Sequence, residues 1–266
     1  MPSLSSDAST SPEPPAWGEL LDLAAAMADL ADRATTAEGL PALHDLVSLT
    51  VAQVPSACWA SMTVLRAKKF RTEATTDQGA TKADVLQYEM GFGPCVDAVR
   101  EDSVYVSGDV AGDERWLEWG ARVHNELGVN SVLSQRLRLS GDAGIIAALN
   151  IYSHAANAFD EHARAIGLVL ATHGGLLMNT MLANDRARNL RQALESNRQI
   201  GVAMGVLMHR HRLSSEQAFD VLRAGSQDSN RKLTDVAIEV IDTGTLNIRG
   251  WPANPKKRLA IRPARV

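Results

Sequence analysis

From Asp160 to His211 the chain runs without a proline, and residues that favour helices dominate. Few folds accommodate such a run as anything but a long helix. Asp160 is a good N-cap for it. Ile166, Leu170, Leu177 and Met181 mark one helical face, and Leu190, Leu194 and Met204 mark another. The middle, "NDRARNLRQ", is strongly polar. The reading is a helix that closes a first domain and runs on as a connector. Self-association along it is a further expectation, although His173 and Asn184 interrupt the heptad seam.

Near its end, "IGVAMGVLMHRH" (200–211) places two glycines four apart in an apolar helical pattern, followed at once by His209, Arg210, His211 and Arg212. Gly costs about 1 kcal/mol relative to Ala inside a helix. Gly201, Ala203 and Gly205 suit either tight packing between helices or a patch of bare helix surface. Spacing alone leaves the two level.

Ahead of this run, residues 17–33 read as an amphipathic helix, and 40–54 repeat the pattern up to Pro55. "CWASMTVL" (58–65) and "FRTEATT" (70–76) read as strands about a polar turn. Residues 83–90 read as a short helix ended by Gly91 and the Gly93-Pro94 pair. "SVYVSGDV" contributes a short strand, and 114–127 a helix carrying Trp116, Trp119 and Val123. "SVLSQRLRL" and "GIIAALNIY" flank "SGDA", a strong hairpin signal. Helices outside and antiparallel hairpins inside make an α+β domain. After the long run, Ser214 and Gln217 match a capping box opening a helix at 215–224, ended by Gly225 or by residues 228–230. Asn230 is read as the cap of a last helix with Leu233, Val236, Ala237, Val240 and Ile241 on its apolar face, ended by Gly244.

Composition narrows the function classes. With 45% hydrophobic and 22% charged residues the chain can bury a core. No apolar run is read as approaching the roughly 18–20 residues that span a bilayer, the longest lying at 144–152. Residues 1–15, Ser/Pro-rich and without Lys or Arg, fit no targeting signal and read as a disordered leader. Two cysteines, Cys58 and Cys95, fit a reduced, cytoplasmic setting. Residues 1–183 carry 12 basic and 23 acidic side chains, and 184–266 carry 15 and 8. Such asymmetry suggests a nucleic-acid role for the basic part, although six of its cations lie in the tail from Arg249 onward. The sequence holds no CxxC, HExxH, P-loop or GxSxG motif. No base is paired with Cys95 in sequence, His124 stands alone, and no metal or other cofactor is expected.

"SNRQIGVAMGVLMHRHRLSSEQAFDVLRAGSQDSNRKLTDVAIEV" (196–240) closely resembles an ANTAR domain, the three-helix RNA-binding output module of bacterial antitermination regulators. The resemblance is carried by Ile200, Ala203, Gly205, Leu207, Met208, Ala218, Phe219, Leu222, Arg223, Leu233, Val236 and Ala237. One departure is Met204, where many members carry a Lys. Upstream, "LQYEMGFGPCVDAV", "RWLEW", "GVNSVLSQRL", "IAALNIYS" and "AFDEHARAI" resemble an actinobacterial GAF domain. The resemblance implies an α+β fold: an N-terminal GAF domain (a PAS-like antiparallel sheet flanked by helices) followed by a C-terminal all-α three-helix ANTAR domain. The boundaries it suggests are a leader at 1–15, a GAF sensor at 16–183, a helical connector at 184–195, the ANTAR domain at 196–246 and a basic tail at 247–266.

The implied function is transcription antitermination by a homodimer. The GAF domain would sense a small-molecule or protein signal, and paired ANTAR domains would hold paired RNA hairpins in transcript leaders. RNA-hairpin recognition combines phosphate contacts with the reading of unpaired loop bases. The candidates are Arg198, Arg223, Arg231 and Lys232 for phosphates, Gln227 and Asn230 for base edges, and Ala203 and Gly205 for shape. A GAF pocket is expected near Tyr88, Phe92, Cys95, Trp116 and Trp119, and Trp59 is expected in the core. Neither an enzyme nor a membrane partner is expected. The alternative is a ligand-sensing regulator whose C-terminal helices dock a protein partner.

Overall fold

The computed structural model describes residues 17–34, 39–101, 103–140 and 144–245. The expected leader and basic tail, with residues 141–143 of the hairpin turn, lie outside the described residues. The chain divides into two compact units, Met1–Asn184 and Asp185–Val266.

The first unit is built on five antiparallel strands in the order β2-β1-β5-β4-β3: β1 (Trp59–Arg66), β2 (Lys69–Thr75), β3 (Val104–Ser107), β4 (Ser131–Leu137) and β5 (Ile145–Ser153). β1 and β2 turn through Ala67 and Lys68, both at positive φ (50° and 64°). Two left-handed residues match the right-handed twist of the strands they join. The period-two alternation of β1 and β5 divides the sheet into two chemically different faces.

One face is dry. Ala60, Met62 and Val64 of β1 and Ala147, Leu149 and Ile151 of β5 meet helices α1 (Trp17–Ala34), α2 (Gly39–Gln53) and the first part of α6 (Glu161–His211). Leu30, Leu43, Leu46, Val47, Leu170, Ala171, Leu177 and Met178 close this core. The Gly174-Gly175 pair lets α6 lie close to it: a Cβ at Gly175 would stand 2.8 Å from the Arg138 carbonyl oxygen, and one at Gly174 2.9 Å from Leu46. The other face carries Ser61, Thr63, Asn150, Tyr152 and Ser134 beneath α3 (Gln78–Met90), α4 (Pro94–Glu101) and α5 (Leu117–Leu127). α5 docks through Gly120, where any side chain would collide with the Val110 carbonyl oxygen.

Helix boundaries depart from the expectations where side chains override propensity. α3 begins at Gln78, well before 83, because Asp77 accepts from the Gly79 N–H at 2.6 Å and Gly79 leaves room for the Trp59 ring. α4 was not expected at all. Gly93-Pro94, read as loop punctuation, is a helix start, Pro being tolerated where its missing N–H is not needed. α5 starts at Leu117 because 113–116 form a turn in which Asp113 accepts from the Arg115 N–H.

α6 begins where Asp160 accepts from the Ala163 N–H at 2.8 Å and continues for 51 residues. It also corrects the expectation that no run approaches bilayer length. An 18-residue window of α6 is long and apolar enough to cross a membrane, with a hydropathy of 1.4. The buried members of that stretch, Leu170, Ala171, Leu177 and Met178, face the sheet.

In the second unit, the end of α6 packs with α7 (Ser215–Ser229) and α8 (Leu233–Thr243) around Ala203, Leu207, Leu213, Ala218, Val221, Leu222, Val236, Ala237 and Val240. Ser214 and Gln217 form the reciprocal capping box. Asn230 corrects its expected role: it does not cap α8 but ends α7 in the left-handed conformation, φ 52°. Lys232 occupies the position before α8, with no side-chain cap bond.

Candidate nucleic-acid interface and sensor core

The polar face of the sheet is sealed by a hydrogen-bond network centred on Asp84 of α3, which is fully buried. The Tyr152 hydroxyl donates to its Oδ1 at 2.6 Å and the Asn150 amide to the same oxygen at 3.0 Å, while Thr72 donates to Oδ2 at 2.8 Å. Burial pushes the Asp84 carboxyl up to about 6, against the opposing pull of these donors, Tyr152 first. The Tyr88 hydroxyl bonds Thr63 at 2.7 Å and Thr72 at 3.0 Å, and its ring stacks on Phe70. Gln87 accepts from the Cys95 N–H at 2.7 Å. Asn150 Oδ1 and Ser134 Oγ, on register partners of β5 and β4, are buried without a hydrogen-bond partner.

The expected pocket residues separate into two groups. Tyr88 and Cys95 belong to this network. Trp116 and Trp119 are core residues of a second cluster with Val123, Val132 and Tyr152, against which Phe92 is partly buried. Their indole N–H groups are taken: Trp116 donates to Asp97 at 2.7 Å and Trp119 to the Ala83 carbonyl at 3.1 Å. The two tryptophans therefore build the wall behind the network and do not line an open pocket. Trp59, expected in the core, is partly buried against the same cluster. Sequence reasoning missed Asp84, Gln87, Thr63, Thr72, Asn150 and Tyr152. For Thr63, Thr72, Asn150 and Tyr152 the signal was polar residues at alternate strand positions on a face that is nevertheless covered, whereas Asp84 and Gln87 lie on α3 and carry no such signal. Cys95 is also fully buried, and burial followed by the nearby Asp84 charge pushes its thiol up to about 12. Among the described residues no group of His, Cys, Asp or Glu could hold a metal ion.

In the second unit the two glycines face outward. A Cβ at either Gly201 or Gly205 would meet nothing within 4 Å. Close packing of another element of this chain is thus not their reason, and the bare-surface reading remains. Ala203, expected to share that surface, is instead fully buried against α7 and α8. Three of the four expected phosphate ligands are tied to carboxylates: Arg198 to Glu195 at 3.5 Å, Arg223 to Asp220 at 3.1 Å, and Arg231 to Glu239. Lys232, Gln227 and Asn230 are exposed. Phe219, read as lying on an apolar face, is 39% exposed.

A GAF domain profile matches residues 42–179, just over half of the chain, and an ANTAR domain profile matches residues 188–241. The chain belongs to the GAF family. Its GAF domain is followed by an ANTAR domain, so the protein pairs a sensing module with a regulatory output module. A comparison with curated proteins found no match. Among solved structures, the GAF domain of a phosphoenolpyruvate-protein phosphotransferase from Coxiella burnetii is 16% identical, covering 64% of this chain and 98% of that one, with a TM-score of 0.46. A type II free methionine-R-sulfoxide reductase from Thermoplasma acidophilum is 20% identical, covering 56% and 94%, with a TM-score of 0.43.

Two outcomes follow from the GAF core. A carboxyl at about 6 in the fold, against 3.8 ordinarily, favours the folded state fully below pH 4 and loses that contribution as pH rises to about 6. Asn at position 84 can still accept from Tyr152 while donating to Thr72. In urea titrations Asp84→Asn should therefore exceed the native protein by about 3 kcal/mol at pH 7, with the difference closing towards pH 4. A difference independent of pH would rule out Asp84 as the titrating group. Separately, a thiol reagent should label half-exposed Cys58 in the native protein and Cys95 only after unfolding. Rapid labelling of both would contradict the sealed core.

Proposed function

We propose that this GAF–ANTAR protein is an RNA-binding transcription antitermination regulator. Its GAF domain receives a signal, and its ANTAR domain binds paired hairpins in nascent transcripts in the cytoplasm, acting without catalysis. The observation that supports this best is the outward placement of Gly201 and Gly205 within the residues matched to the ANTAR profile. Each costs the helix about 1 kcal/mol and receives no packing in return from the described residues of this chain. Bare helix surface lets a nucleic-acid backbone come close, and Arg198 and Arg212 lie exposed near the two ends of the glycine pair. The unmet hydrogen-bonding capacity at Asn150 and Ser134 supports the polar face of the GAF sheet as the place where a small-molecule signal acts. A homodimer is supported by α6, where Val169, Leu176, Ala183 and Leu190 are exposed at seven-residue spacing.

A second reading, in which the ANTAR helices dock a protein, is favoured by exposed Val202, Met208 and Phe219. Salt separates the two. In gel shifts against a two-hairpin RNA and a duplex DNA of equal length, the RNA reading expects saturable binding to the RNA alone. That binding should weaken steeply as salt rises and depend on loop sequence. Equal affinity for RNA and DNA would contradict it.

A further inference from the structure

Within the ANTAR unit, an open groove of about 660 Å³ runs between α6 and the start of α8, lined chiefly by side chains that carry hydrogen-bonding groups. That volume falls in the range of clefts that hold small organic groups. On the α6 side stand Asn189, Gln192, Ser196 and Gln199. Their spacing of three, four and three residues puts all of them on one helical face. On the α8 side stand Thr234, Asp235 and Ile238, with Lys232 just before the first turn. Among the described residues, none of the three carboxamides makes a side-chain hydrogen bond that would consume it, and Lys232 pairs with no carboxylate.

The chemistry of this groove differs from that of a phosphate site. Two carboxylates line it, Glu195, which pairs with Arg198 at 3.5 Å, and Asp235; Asp235 repels a phosphate from its interior while accepting hydrogen bonds from amino or ring N–H groups. Carboxamides present a donor and an acceptor side by side, the pattern that matches the edge of a nucleobase. Ile238, 39% exposed, and Ala193 supply apolar contact for a flat ring. Lys232 at the rim can hold the phosphate to which such a base is attached. A base inside a duplex keeps its edge in a groove that side chains read poorly in A-form RNA, whereas an unpaired loop base can be splayed out.

We propose that this groove receives one unpaired nucleobase of an RNA loop, read by Asn189, Gln192 and Gln199, with Lys232 on its phosphate. The inference rests on the RNA-binding reading, places the base on the face of α6 opposite Gly201 and Gly205, and replaces Gln227 and Asn230 as the base readers. Asn230 is committed to ending α7, and neither residue lines the groove.

The test uses the full chain and a pool of RNA hairpins of one fixed stem closed by a randomised loop. The native protein should enrich particular loop sequences. Gln192→Ala/Gln199→Ala, on exposed or half-exposed positions of α6, should fold with unchanged helical content. It should lose roughly tenfold or more of the preference for an enriched loop over a scrambled one. Lys232→Ala should weaken binding to both loops alike and lower the salt slope by about one. Full discrimination by the double variant would overturn the groove assignment while leaving RNA binding intact, and would point to a protein segment as its occupant. No enrichment by the native protein would overturn the RNA reading and this inference together.

Discussion

α6 is the element on which both units depend. Ala163, Leu170, Ala171, Leu177 and Met178 complete the dry core of the GAF sheet, and Ala203 and Leu207 begin the core of the ANTAR bundle. A single helix with no proline over 51 residues supplies both sets. Helix formation is cooperative once nucleated, but stability in a protein comes chiefly from a packed apolar face. Each end of α6 therefore relies on its own partners. The stretch between them, from Asp185 to Glu195, exposes nearly every side chain. A break there would remove no core contact from either unit.

The GAF sheet separates two kinds of burial. Its dry face obeys area and volume, so Gly174 and Gly175 are set by how closely a helix can lie on a strand edge. Its polar face obeys hydrogen-bond satisfaction. A buried carboxylate without a cationic partner is costly unless its lone pairs are met, and Tyr152, Asn150 and Thr72 meet those of Asp84. The network is adjustable in a way the dry face is not, because a change in the protonation or bonding of Asp84 is felt by β2, β5 and α3 together. That property suits a sensing module. The same burial, with the nearby Asp84 charge, disfavours the Cys95 thiolate.

Much of this was legible in the residues. Alternation in "SMTVL" and "AALNIY", the capping box at Ser214 and Gln217, and the helix-ending Gly244 each carry a local physical signal, and each element formed where that signal stands. What escaped depends on distant partners. α4 was hidden because Gly93-Pro94 reads as a turn in isolation, and only the sheet beneath makes it a helix start. The polar network was hidden because Asp84 and Asn150 lie 66 residues apart and look like ordinary surface residues until the sheet joins them. Ala203 was misplaced because a residue two positions from each glycine stands about 200° round the helix from them, on the face that packs against α7 and α8.

The account turns on the claim that Gly201 and Gly205 are kept for what approaches them from outside. The direct measurement is Gly205→Ala, followed both by urea denaturation and by RNA affinity. Open space at the Cβ predicts a gain of about 1 kcal/mol in stability, together with weaker RNA binding as the new methyl holds the backbone away. A more stable protein that binds RNA as tightly as before, or more tightly, would contradict the account.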